Sequence, residues 1–229
     1  MSLPTSGPIW LSQVKAEFGG GNWLGDYYRG AGYTTVNNTR VPTSGPISLA
    51  DFYGATKVVP GSASWGPGTH LFTVPPYSQL TIDFSAGGGG GGGVRVGATS
   101  GASGGGSVFY SATPLVANGG GGGAGMSGLG TGADGPPGAA SGGDSNIIGG
   151  GAGGGRGADR GSGSTAVQGG NGGAGARVVK TWRAGDPGAP TPGSVITVVI
   201  GGGGAQGSGN YFSWPADPGG NGSGSASWT

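Results

Sequence analysis

Seven consecutive glycines, Gly87 to Gly93, stand in the stretch "SAGGGGGGGVRV". Nothing else in the chain limits the fold as much. A run without side chains fills no hydrophobic core, ligates no metal and supplies no nucleophile. Further glycine runs occur at 119–123, 149–155, 169–173 and 201–204. Glycine makes up 64 of 229 residues, against an ordinary share of about 7%.

Four conformations compete for these runs. A flexible linker is the plainest, because glycine loses more entropy on ordering than any other residue. Against it, the glycines come in separate blocks bracketed by strand-like sequence. Their inserts also carry Phe109, Tyr110, Trp182, Tyr211, Phe212 and Trp214, for which a linker has little use. Collagen needs glycine at every third position without a break, and "GVRVGATSGASGGGSVFYSATPLVAN" breaks that period at once. A phosphate-cradling loop is not specified either: GxGxxG matches recur throughout and no GK[ST] is present. The fourth is a bundle of polyglycine II helices, the glycine counterpart of polyproline II, with three residues per turn and about 3.1 Å rise. Their N–H and C=O groups point sideways and need partners on neighbouring helices. Only glycine permits so close an approach. On this reading the inserts form turns and loops at the two ends of a rigid brick.

Composition divides the chain in two. Residues 1–57 look like ordinary protein, whereas 58–229 hold most of the glycine. In the first part "LPTSGPIWL" at 3–11 returns as "VPTSGPISL" at 41–49. Each precedes a short amphipathic segment, with Ser12 or Ser48 as candidate N-cap and Leu11, Val14 and Phe18 spaced for one helical face. Gly19 and Gly54 end these segments. "NWLGDYYRGAGYT" places Trp23, Leu24, Tyr27 and Tyr28 near helical spacing. A compact module of short helices is expected, too small to be very stable alone. In the second part Leu80, Ile82 and Phe84 alternate as on one strand face, and Phe72 and Val74 as on another. "SVITVVI" at 194–200 is rich in β-branched residues. The pentapeptide "GSASW" occurs at 61–65 and 224–228, so the ends of this region are expected to pair in one sheet. The fold class is therefore mainly β and irregular: a small N-terminal module of short helices, then packed polyglycine II helices framed by a few strands.

The chemistry is sparse. The ten Lys and Arg are scattered and the net charge is +1, which argues against a nucleic-acid partner. There is no cysteine, hence neither disulfide nor thiolate metal site. "MSLPTSGPIW" lacks a signal-peptide pattern, and no apolar run approaches the roughly 20 residues that span a bilayer; a soluble, non-secreted chain without membrane insertion is expected. No His/Asp/Glu cluster has metal spacing, and His70 reads as structural. No catalytic residue, metal or cofactor is expected, and the chain is read as a non-enzyme. Function then falls to loops held by a rigid scaffold. Aromatic residues and arginine are enriched in binding hot spots, which makes Phe109, Tyr110, Trp182, Arg183, Tyr211, Phe212 and Trp214 the candidate receptor-binding residues.

"SGPISLADFYGA", with the upstream "NWLGDYYRGAGY", resembles a short module of structural and tail-fibre proteins of tailed bacteriophages. The region from "WGPGTHLFTVPPYSQLTIDFSAGGGGGGG" to "VITVVIGGGGAQG" and "GGNGSGSASW" is similar to the glycine-rich domains of phage tail fibres. The segmented glycine blocks resemble the polyglycine-sandwich adhesins at the tail-fibre tips of T-even-like phages. The resemblance implies a virion protein of the tail fibre or tail tip, assembled in the host cytoplasm. It implies attachment to other tail or fibre proteins through residues 1–57, and loops on 58–229 that bind an outer-membrane protein or surface glycan of the host. The N-terminal module departs from the attachment domain of those adhesins, so both a homotrimer, as in most fibres, and a monomer stay open. The alternatives are a purely structural virion component and an ice-binding protein. Ice-binding proteins of this architecture use regular repeats and disulfides, which this chain lacks.

Overall fold

Period-two alternation organises the strands from residue 61 onward. The computed structural model describes residues 3–30, 32–35, 38–94, 97–160, 167–209 and 215–229. Its strands are β1 (Gly61–Trp65), β2 (Gly68–Thr73), β3 (Gln79–Ser85), β4 (Ser107–Phe109), β5 (Leu115–Ala117), β6 (Gly130–Thr131), β7 (Ala140–Ser141), β8 (Ser145–Ile147), β9 (Asp159–Arg160), β10 (Val167–Gln168), β11 (Arg177–Arg183), β12 (Val195–Ile200) and β13 (Ser223–Trp228). Two antiparallel five-stranded sheets run β1-β13-β3-β11-β8 and β2-β12-β4-β5-β7. They face each other across one core. Leu80, Ile82, Phe84, Val178 and Trp182 come from the first sheet, and Phe72, Phe109, Leu115, Ile196 and Val198 from the second. Burying one such side chain is worth about 1.5–3 kcal/mol, so this sandwich is the main apolar store of the fold.

The repeated pentapeptide pairs with its own copy. In the β1–β13 register Gly61 lies opposite Trp228 and Trp65 opposite Gly224. Each tryptophan covers the other strand's glycine: a Cβ on Gly61 would come within 2.6 Å of the Trp228 ring, and one on Gly224 within 3.2 Å of the Trp65 ring. The ends of the region thus pair in one sheet, as the repeat suggests.

The glycine segments are continuations of these strands. β3 runs on into 86–93, β5 into 119–126, β8 into 151–158 and β12 into 201–208; in the opposite direction 99–105 leads to β4, 132–138 to β7, 169–175 to β11 and 216–222 to β13. The central segment 87–93 bonds with a period of three. Gly87, Gly90 and Gly93 donate to Gly105, Ala102 and Thr99; Gly88 and Gly91 to Gly220 and Asp217; Gly89 and Gly92 to Gly173 and Gly170. Its carbonyls accept with the same period from 120–126, 152–158 and 204–207, for example Gly120 N–H on Gly87 and Gly123 N–H on Gly90. Three antiparallel and three parallel neighbours therefore surround it. Those neighbours also bond to one another in a closed ring, through Gly101 to Gly123, Gly173 to Gly121, Gly172 to Gly155, Gly220 to Gly153, Gly219 to Gly204 and Ala102 to Ala205. Segment 132–138 rides outside the ring, with Gly121 donating to Pro136 and Gly135 donating to Asn171.

Sterics, not backbone conformation, demands glycine here. None of Gly87 to Gly93 takes a positive φ. Yet a Cβ built on any of them lands on a carbonyl oxygen of a neighbour: Gly202, Ala205 and Ser208 for Gly87, Gly90 and Gly93; Gly153 and Arg156 for Gly88 and Gly91; Gly121 and Ala124 for Gly89 and Gly92. Outer segments need fewer glycines. In 132–138 those at 132, 135 and 138 face other segments, while Ala133, Asp134, Pro136 and Pro137 occupy the remaining positions.

The N-terminal residues pack around a separate core of Leu3, Ile9, Val14, Phe18, Tyr27, Val41, Phe52 and Ala55. Helix α1 spans Leu11–Phe18, and 3₁₀ turns span Leu24–Tyr27 and Leu49–Phe52. Ser12 is not the cap of α1. Trp10 holds that position and its N–H donates to the Gln13 side chain at 2.8 Å, which leaves Ser12 inside the first turn. Ser48 is the cap of the second 3₁₀ turn, donating its N–H to Asp51 at 2.7 Å. The two "PTSG" turns are clamped alike. Tyr53 donates its hydroxyl to the Gly7 carbonyl and Gly54 its N–H to Pro4; Tyr28 donates to Gly45 and Arg29 to Pro42. The clamping residues close "LGDYY" and "LADFY", a second internal echo.

Candidate functional site

Strand direction separates two ends of the glycine bundle. At one end lies the sandwich, with the connections 110–114, 142–144 and 184–194 on its far side. The chain enters β1 there, since β1 starts at Gly61 opposite Trp228, the residue of β13 furthest from the bundle. Thr39 of the N-terminal part meets Tyr77, Gly185, Asp186 and Pro190 around a cavity of about 250 Å³. At the other end one glycine segment gives way to the next, and the described residues there are 94, 97–98, 127–131, 159–160, 167–168, 209 and 215. This tip is closed by side chains: Val94, Ala158, Val167 and Ala216 form a small buried cluster with Met126 against it. A short sheet in the order β6-β10-β9 caps it, and Leu129 beside β6 is 73% exposed.

Among the described residues, the candidate receptor residues do not converge on one surface. Phe109 is completely buried in β4, its ring 6.2 Å from that of Trp182. Trp182 is 4% exposed in β11. Both are core residues of the sandwich with no surface to offer a receptor, which corrects their assignment as contacts. Each stands on the inward parity of its strand, Phe109 with Ser107 and Trp182 with Val178. Tyr110, one residue on, is exposed and lines a groove with Pro190, Thr191 and Ile196. Arg183 is exposed at the end of β11. These two lie on the sandwich side, away from the tip. Tyr211, Phe212 and Trp214 fall outside the described residues; Gly209 and Pro215 on either side of them belong to the tip end.

The acids of this region hold backbone and cations in place. Asp186 accepts the Arg183 N–H at 2.8 Å and Asp134 the Asn171 N–H at 2.7 Å. The Lys180 side chain and the Thr181 N–H hold the Asp144 carboxyl below the ordinary aspartate range. The Asp83 carboxylate takes two hydrogen bonds from Arg177, the Nε one at 2.8 Å, and raises the guanidinium pKa. Burial raises the Tyr77 phenol, which donates to the Pro190 carbonyl at 2.6 Å. His70 sits 2.9 Å from the Gly66 carbonyl. Among the described residues no group of three His, Cys, Asp or Glu could hold a metal ion, and no helix is long and apolar enough to cross a membrane. The sequence reading missed the tip cluster, whose members are single apolar residues where a glycine segment stops. That position, Val94 after Gly93 or Ala216 before the Gly219–Gly220 run, was the available signal. Neither a protein-family model, nor a curated protein, nor a solved structure matches the chain.

Proposed function

We propose that the protein is a non-enzymatic adhesin of a bacteriophage tail fibre or tail tip, in which a polyglycine II bundle carries recognition loops away from the virion. The observation that carries this reading is the opposition of the two ends: residues 1–57 join at the sandwich, and four glycine-to-glycine connections gather at the tip. The three-residue hydrogen-bond period and the closed ring of neighbours support polyglycine II helices, each spanning roughly 22 Å over seven residues. A scaffold whose segments are tied by backbone bonds holds loops still, and such loops are where recognition concentrates. Residues 1–57 mount the chain on other tail or fibre proteins. The tip connections meet a host outer-membrane protein or surface glycan, with Tyr211, Phe212 and Trp214 in one of them.

The test shortens the four tip connections one at a time to a Gly-Ser pair and measures adsorption of the protein to host cells. Loss of adsorption in at least one variant with unchanged circular dichroism is the expected result. Undiminished adsorption in all four, each well folded, rejects the adhesin reading and leaves a structural component. The bundle has its own check. Amides of 87–93 exchange slowly in a polyglycine II helix and rapidly in a linker.

A further inference from the structure

A second polar site lies on the flank, where the outer face of β3, β11 and β13 meets the bundle. There a groove of about 400 Å³ is walled by the backbone of 150–152 on one side and Asn221 on the other, with Asp83, Arg177, Ser223 and Ser225 between them. Ligand sites of drug-sized molecules begin at about 300 Å³. The register places Ser225 directly opposite Asp83 and Ser223 opposite Ser85, which in turn faces Arg177.

We propose that this groove binds a neutral saccharide. The ion pair at its centre is locked yet open to solvent, Arg177 and Asp83 being 44% and 32% exposed. Each carboxylate oxygen has a lone pair beyond the one given to Arg177. The Ser225 hydroxyl makes no hydrogen bond among the described residues. Asn221 accepts the Gly203 N–H at 2.9 Å through Oδ1, which leaves its NH₂ to donate. Acceptors, donors and amphoteric hydroxyls thus share one small surface, the set that vicinal sugar hydroxyls require. A phosphate or carboxylate ligand is disfavoured because Asp83 already neutralises Arg177 and repels a second anion. A nucleobase or apolar peptide finds no aromatic platform and no apolar pocket in the lining.

The inference is independent of tip recognition, and the measurement keeps the two apart. The full ¹⁵N-labelled chain is titrated with glucose, galactose, mannose, rhamnose, N-acetylglucosamine, cellobiose and lactose, with inorganic phosphate alongside. At least one sugar is expected to shift the amides of Gly151, Asn221, Ser223 and Ser225 saturably, with a Kd in the millimolar range. Asp83→Asn removes the charge while keeping the shape, and Ser225→Leu fills the groove from an exposed position. Each is expected to weaken binding at least tenfold while the remaining spectrum stays in place. Tip-shortened variants keep the sugar response. No saturable shift with any sugar, shifts that survive both substitutions, or a tighter response to phosphate overturns the proposal.

Discussion

The sandwich and the glycine bundle are made from the same strands, held by opposite means. Between Gln79 and Ser85 the chain is fixed by what its side chains bury: Leu80, Ile82 and Phe84 are at most 1% exposed. One residue after Ala86 it is fixed by what side chains it lacks. The contrast teaches that burial does not require apolar side chains. Gly87 to Gly93 are buried too, with a backbone hydrogen bond from every N–H and Cα atoms against neighbouring carbonyl oxygens, a contact type worth about 0.5–1 kcal/mol each. A hydrogen bond contributes about 1 kcal/mol net, so many small backbone gains offset glycine's entropy.

The sharpest way to break the contrast is one methyl group in the bundle centre. Gly90→Ala puts its Cβ on the Ala205 carbonyl, while its N–H and C=O are tied to Ala102 and Gly123 on two other segments. No flexible side chain is there to give way. A loss of about 5 kcal/mol or more is expected, beyond the usual range for a point change, measured by urea unfolding. A cost under about 1 kcal/mol means the segments are not in contact as described. The sandwich answers to the opposite change. Phe109→Ala is expected to cost about 3–5 kcal/mol by leaving a cavity, without altering host adsorption per folded molecule. Selective loss of adsorption returns Phe109 to the receptor surface.

How far the sequence carried the fold follows the same division. Strands at 79–85 and 195–200 and the GSASW pairing were legible because period-two alternation and exact repetition are long-lived signals. The period-three glycines were half legible. "GASGG", "GADGPPG" and "GGNGGAG" each keep glycine at every third position, but the period restarts between segments, so one continuous frame rejects it. Phe109 and Trp182 were misread because a short insert between glycine runs, such as "SVFYSATPLVAN" or "RVVKTWRA", looks like a loop. Strand and glycine segment adjoin with no more than a residue or two between them, as at Gly106 and Ala176, so each of the two sits near the end of a core strand. In the N-terminal part the turn repeat was visible, whereas "LGDYY" and "LADFY" were masked by different flanks. Tyr28→Phe and Tyr53→Phe test their equivalence. Each removes one hydroxyl to a turn carbonyl and is expected to cost about 1 kcal/mol. A difference of more than about 2 kcal/mol between them ends the repeat as a structural statement.

The smallest expected effect separates two neighbouring glycines. Gly153 is exposed, has no positive φ, and a Cβ there meets nothing within 4 Å. Alanine at 153 therefore only restricts the unfolded chain and is expected to stabilise by about 0.4–1 kcal/mol. Gly154 is exposed as well, but its Cβ lands on the Gly172 carbonyl of the adjoining segment, so Gly154→Ala destabilises. Composition and accessibility treat the two residues alike; only the three-residue period assigns them opposite signs. Equal effects from the pair contradict the lateral packing of 151–158 on 169–175, and with it the rule that glycine is required where a neighbour lies and dispensable where none does.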